Sequence, residues 1–164
     1  TVFNLLGPLL NPAEATHQII GAPSLDIARK LAMTAYRLNK GKVQLLHNSE
    51  GLDELVPFGE NWIISADENG VKEYKLDTAF SGRADKSSLK GGSANDNAPI
   101  INRIFEGEKS SRRDAVVLNA AAGLVLTNTV SDYKEGIMMA EESIDSGMAA
   151  LKLDKLIKLS NKLV

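Results

Sequence analysis

The stretch HQIIGAPSLDIARKLAMTAYRLNKGKVQLLH, residues 17–47, decides how this chain folds. HQIIGAP at 17–23 is a short apolar run closed by glycine and proline, the pattern of a buried strand. From Leu25 the apolar positions Ala28, Leu31, Ala32, Ala35 and Leu38 recur at helical spacing. Ser24 is placed to cap the start of that helix and Gly41 to end it. A second short apolar run follows at 43–46, within KVQLLH. Two strands joined through one helix by short connections predict a right-handed parallel crossover, and so a sheet that is at least partly parallel.

Downstream, NWIIS and VKEYKLD surround DENG at 67–70, whose Asn-Gly pair suits a tight hairpin, so these runs are expected to pair antiparallel. Residues 78–97 are poor in apolar side chains and rich in Ser, Gly, Lys, Asp and Asn, and read as a loop. Beyond them APIINRIFEGE, DAVVLNAAAGLVLTNTV, YKEGIMMAEESIDSG and MAALKLDKLIKLSNKL all carry helical periodicity, which makes the last third helical. Upstream, TVFNLLGPLLNPAE at 1–14 is largely apolar, but Asn4, Gly7 and Pro8 break any strand or helix pattern. It reads as a loop wedged against other structure.

At 164 residues the chain suits one domain with a real core. Its mixed charge and ordinary apolar share exclude a disordered tail or a collagenous repeat. A net charge of −2 argues against general attraction to nucleic acid or anionic membrane. With no cysteine there is no disulfide framework and no thiolate metal site, which suits a reducing interior, and the expected location is the cytoplasm. No apolar run approaches a membrane span, and no signal-peptide pattern is present.

Chemistry concentrates in HNSEGLDE at 47–54, because in open α/β sheets ligands collect beyond the carboxyl ends of parallel strands. The segment holds Glu50, Asp53 and Glu54, and adjacent acids in an irregular loop can converge on one hard cation. Mg²⁺ fits, since it takes one or two protein carboxylates and fills its shell with water and phosphate oxygens. A surface acidic pair with no metal is the plainer alternative. His47 invites a general-base reading, but a structural histidine is favoured at a strand end. SSRR at 110–113 could bind phosphate through Arg112, Arg113 and helix-terminal amides. The duller reading is a charged helix start with Asp114 complementing the dipole. GGS at 91–93 lacks a strand-turn-helix setting and reads as a turn, and AAAG at 120–123 as a close helix contact. Lys152, Lys155, Lys158 and Lys162 share one face of the last helix, which reads as solvated.

Taken together, TVFNLLGPLLNPA, HNSEGLDE, GGSANDNAP, RRDAVVLNAAA and EGIMMAEESIDSGMA resemble the carboxyl-terminal half of the anthranilate phosphoribosyltransferase family, in its order and with similar spacing. The resemblance implies the C-terminal part of a three-layer α/β/α domain with a mixed, partly parallel sheet and a helical last third. It implies that residues 1–164 are the later portion of the large α/β domain, with a helical domain and the first part of that domain lying before Thr1.

The resemblance further implies transfer of the phosphoribosyl group of phosphoribosyl pyrophosphate (PRPP) to anthranilate, with release of pyrophosphate, in tryptophan synthesis. Gly7 and Pro8 would line the anthranilate pocket, and Asp53 and Glu54 would bind Mg²⁺. The intact enzyme would be a homodimer, with no nucleic acid or membrane among its partners. The family's GTGGD loop, its Lys-His-Gly segment and the arginine that meets the anthranilate carboxylate have no match in the chain, which alone is expected to be inactive or nearly so. Where the family has His-Gly and Asp-Gly the chain has His47-Asn48 and Glu50-Gly51, so the resemblance assigns His47 and Glu50 no role. The alternatives on the same fold are a pyrimidine nucleoside phosphorylase and a nucleic-acid-binding branch.

Overall fold

In the computed structural model, which describes residues 7–77 and 84–162, the crossover unit forms. Strand β1 (His17–Gly21) pairs in parallel with β2 (Lys42–Asn48), and helix α1 (Leu25–Arg37) connects them. Ser24 caps α1, its Oγ accepting the Ile27 N–H at 3.3 Å. The helix ends at Arg37, before the stop read at Gly41, and Asn39 already adopts a left-handed conformation with φ 49°. Gly41, at φ 77°, serves instead to let the backbone pass the Thr16 carbonyl, which a side chain would overlap.

Strands β3 (Asn61–Asp67) and β4 (Gly70–Leu76) join antiparallel, giving a four-stranded sheet in the order β1-β2-β3-β4. The hairpin tip is displaced by one residue from the Asn-Gly reading. Asp67 pairs with Gly70, so Glu68 and Asn69 form the loop, while the Asp67 Oδ1 accepts the Asn69 N–H at 2.8 Å. Glycine is needed after the loop rather than within its centre, at φ 127°.

Strand alternation divides the interior into two cores. Val43, Leu45, Ile64 and Ala66 face α1, where they pack with Ala28, Leu31, Ala32 and Ala35. Leu46 and Ile63 face the other way, against Leu118 and Ala122 of α3 (Ser111–Leu126). The sheet is thus covered on both sides, as the three-layer reading requires. Helices α2 (Ala94–Phe105), α4 (Tyr133–Asp145) and α5 (Met148–Ser160) complete the helical last third. Ile104 of α2, Val117 of α3 and Ala140 and Ile144 of α4 form a third core. A Cβ at Gly136 of α4 would lie 3.1 Å from Ala121, so small residues set how closely α3 and α4 approach, in keeping with the reading of AAAG.

The loop expected over 78–97 is shorter than its composition implies. A 3₁₀ turn occupies Lys86–Leu89, and α2 already begins at Ala94. The Ser and Asp that suggested a loop are the cap itself: Ser93 and Asp96 exchange side-chain and backbone bonds in a capping box. GGS at 91–93 is therefore a helix entrance rather than an isolated turn. The residues of that loop at 78–83, and TVFNLL at 1–6, lie outside the described set. The four lysines of the basic stripe are exposed, and no helix among the described residues is long and apolar enough to cross a membrane.

Arg113 departs from the phosphate-binding reading of SSRR, whereas the charged helix start with Asp114 in its first turn forms as read. Arg113 is 1% exposed, with Nη1 on Glu141 at 3.1 Å and Nη2 on Asp145 at 2.9 Å, fastening α3 to α4. The two acids keep 37% and 42% of their side-chain exposure, so removing the arginine does not strand buried charge. Arg113→Ala is accordingly expected to cost about 2–4 kcal/mol through lost packing and hydrogen bonds, and Arg113→Met about half of that. Urea unfolding of the three proteins measures the difference, with an unchanged slope m expected.

Candidate functional site

β2 delivers the chain into the acidic segment at Asn48, which is 0% exposed. Its Nδ2 donates to the Phe58 carbonyl at 2.8 Å and to Asn61 Oδ1 at 3.0 Å, while its Oδ1 accepts the Glu50 N–H at 2.9 Å. Asn61, 1% exposed at the start of β3, binds the Val56 peptide on both sides, accepting its N–H at 3.1 Å and donating to its carbonyl at 2.7 Å. Two buried amides thus draw both ends of the loop together. The Asn48 N–H also reaches the Leu52 carbonyl at 2.9 Å, closing a tight turn through Gly51 (φ 78°) immediately before Asp53.

A third amide holds the loop from the opposite layer. Asn119 of α3 accepts the Leu55 N–H at 3.1 Å and donates to the Leu55 carbonyl at 2.8 Å, besides bonding the Ala115 carbonyl at 2.8 Å. Leu55 is fully buried against Leu46, Ile63, Leu118 and Ala122. From the strand side Gly21, the last residue of β1, lies so close to Asp53 that a Cβ there would overlap the Asp53 carbonyl oxygen and sit 2.9 Å from its Cβ. Asp53 is therefore seated at the carboxyl end of β1, the position at which parallel strands present ligands.

Both acids retain solvent access, so they form one open edge rather than a buried pair. Burial, and then the adjacent Asp53 carboxylate, push the Glu54 carboxyl above the usual glutamate range. A cation bound there would reverse that penalty, which suits two hard oxygen donors to Mg²⁺. Among the described residues no group of three or more His, Asp or Glu converges on a metal position, so protein ligands beyond Asp53 and Glu54 are not assembled here.

The remaining candidates fall in other places. His47 Nδ1 donates to the Ala22 carbonyl at 3.0 Å, so its ring ties β2 to the end of β1, in line with the structural reading. Glu50 is exposed, its carbonyl accepting Lys86 Nζ at 3.1 Å. Gly7 and Pro8 are exposed in a 3₁₀ turn, Gly7–Leu10, anchored by the buried Leu9 in the α1-side core with Ile20 and Ala22. Arg113 is committed to α4, whereas Arg112 shares a depression with Glu54. Sequence reading missed Gly21, Asn61 and Asn119. The available signals were a glycine closing an apolar strand, and a lone amide on the buried face of an alanine-rich helix.

Known proteins share this fold. Residues 1–150 match the model of a family described as "Glycosyl transferase family, a/b domain". The anthranilate phosphoribosyltransferase of Acetivibrio thermocellus is 39% identical over 166 residues, covering 100% of this chain and 48% of that protein. The crystal structure of anthranilate phosphoribosyltransferase from Thermus thermophilus superposes with a TM-score of 0.82 at 39% identity, over 94% of this chain and 46% of that one. The enzyme from Saccharomyces cerevisiae in complex with PRPP and Mg gives a TM-score of 0.80 at 29% identity, over 94% and 44%. The chain spans about half the length of the relatives it matches.

Gly21→Ala is expected to displace the acidic loop and cost about 1–3 kcal/mol, and Asn119→Ala to cost a similar amount by leaving the Leu55 peptide unpaired. Thermal melts give the stability change, and loss of amide protection at Leu55 in hydrogen exchange locates it. Glu54→Gln should act the other way. Since the folded chain disfavours ionised Glu54, stability contributed by its neutral form is present at low pH and lost as pH rises from the ordinary glutamate range through the raised pKa. The variant should therefore melt about 1–2 °C above the parent at pH 7, solvent screening keeping the gain small, and no higher at pH 3.5.

Proposed function

The chain belongs to the glycosyl transferase family whose α/β domain it matches, and on that premise we propose that residues 1–164 are the C-terminal portion of the large α/β domain of an anthranilate phosphoribosyltransferase. In this reading the intact protein moves the phosphoribosyl group of PRPP to the amine of anthranilate and releases pyrophosphate, in tryptophan biosynthesis. The supporting observation is the acidic pair fixed at the carboxyl end of a parallel strand by Gly21 and Asn119. Relatives of this name and the PRPP- and Mg-bound yeast structure point the same way.

Asp53 and Glu54 are the residues that would hold Mg²⁺, and Gly7 and Pro8 those that would line the anthranilate pocket. Bound Mg²⁺ supplies charge neutralisation to a departing diphosphate. The chain's own share is placement: a loop tied at Asn48, Asn61 and Leu55 keeps its carboxylates in position without further ordering when substrate arrives. The aromatic amine is already nucleophilic, so this step requires no strong general base from the chain. A cytoplasmic homodimer is the accompanying proposal for the intact protein.

The chain alone is expected to turn over anthranilate and PRPP at background, because the GTGGD and Lys-His-Gly segments have no match in it. Joined to the N-terminal half of the Acetivibrio thermocellus relative, it should support Mg²⁺-dependent turnover. There, Asp53→Asn and Glu54→Gln should each lower kcat/KM by about 10²-fold or more and raise the Mg²⁺ concentration needed. An active chimaera whose Mg²⁺ requirement is the same in both variants would refute the reading.

A further inference from the structure

The cleft that contains Glu54 has a second wall of opposite charge. A depression of about 380 Å³ is lined by Glu54, Arg112 and Asn119, among others, and a neighbouring one of about 410 Å³ by Glu54, Lys86 and Lys90. Glu54 and Leu89 line both, so the two form one trough. Arg112 reaches across it, its Nη2 donating to the Lys90 carbonyl at 2.9 Å. The 3₁₀ turn Lys86–Leu89 is held from the other end by Lys86 Nζ on the Glu50 carbonyl. The trough is thus assembled from three separate segments.

Its charges are unbalanced. Among the described residues, Lys86, Lys90 and Arg112 form no ion pair, and Glu54 is the one carboxylate lining the trough. The Arg112 Nε is buried with no hydrogen-bond partner among the described residues, a state that costs free energy unless an acceptor reaches it. Arg113 Nε is also unpartnered, but its guanidinium already rests on Glu141 and Asp145. Among the described residues no carboxylate plays that part at Arg112. A guanidinium N–H beside two ammonium groups matches an oxyanion carrying several charges, since each bond would be charge-assisted.

We propose that this trough is a subsite for a diphosphate anion, held by Arg112, Lys86 and Lys90 without a metal, through which released pyrophosphate leaves the acidic loop. The cationic wall stands on its own geometry, while the choice of diphosphate as the occupant rests on the transferase reading. Pyrophosphate gathered here lies beside Glu54, so the same trough can receive it as it departs from Asp53 and Glu54.

Calorimetric titration of the 164-residue chain with sodium pyrophosphate in EDTA tests this directly. The parent chain should bind pyrophosphate at least tenfold more tightly than orthophosphate. Arg112→Gln, Lys90→Gln and Lys86→Gln should each weaken that binding about tenfold, with unchanged melting temperature in the exposed Lys90→Gln variant, which breaks no tie to the acidic loop. No metal-free binding, equal affinity for orthophosphate, or affinity unaffected by the three substitutions would each overturn the subsite. A parallel titration in Mg²⁺ separates the two readings. Mg²⁺ should tighten pyrophosphate binding, and Asp53→Asn should remove that tightening. If tightening survives in Asp53→Asn, the transferase reading fails while the cationic subsite stands.

Discussion

The Leu55 peptide, gripped on its N–H and its carbonyl by the side chain of Asn119, joins the sheet half of the molecule to the helical half at the position where chemistry is possible. An irregular loop satisfies only some of its own backbone groups, and a buried one left unpaired costs about 1–3 kcal/mol. Asn119 answers that requirement from another layer. Its grip also seats Leu55 among Leu46, Ile63, Leu118 and Ala122, so one apolar residue and one amide fix the two acids that precede them. Without this tie the carboxylates of Asp53 and Glu54 would be held from the sheet side alone, by the turn at Asn48 and the bonds of Asn61.

The rest of the site follows from topology. The sheet has one parallel pair, β1 with β2, so both strands end on the same side, and the acidic loop folds back over that end. Gly21 permits the return by carrying no side chain where Asp53 passes. The result is electrostatically uneven: an acidic edge whose Glu54 is held partly out of water, next to three cationic side chains lacking ion-pair partners among the described residues. Neighbouring groups of opposite sign that do not neutralise one another are better suited to sharing a charged ligand than to stabilising the fold.

Much of the architecture was legible because it depends on local periodicity. Ala28, Leu31, Ala32 and Ala35 mark the buried face of α1, and the run at 43–46 marks a strand, which the structure covers on both sides; the run at 17–23 read as a buried strand, but β1 lies at the sheet edge and buries only Ile20. The acidic segment was legible too, since its place after β2 is a property of chain order. What could not be read was what holds it. Asn61 lies within reading distance of its partners, but Asn119 is 64 residues from Leu55, and a single sequence gives no sign that those two meet. Ser93 and Asp96 misled for a related reason: residues that favour loops also favour helix caps, and only the start of α2 at Ala94 distinguishes them. Arg113 beside Arg112 shows the limit most plainly, because identical neighbours on one helix turn have opposite fates, one buried on α4 and one lining the trough.

The span between Leu55 and Asn119 also orders events in time. β1, α1, β2 and β3 lie close together along the chain and can collapse early, since short loops cost little entropy to close. The grip on Leu55 forms only when α3 docks against the sheet. Assembly of the acidic edge is thereby coupled to a long-range closure, so during refolding a probe at that edge reports the arrival of α3 rather than formation of the strands around it.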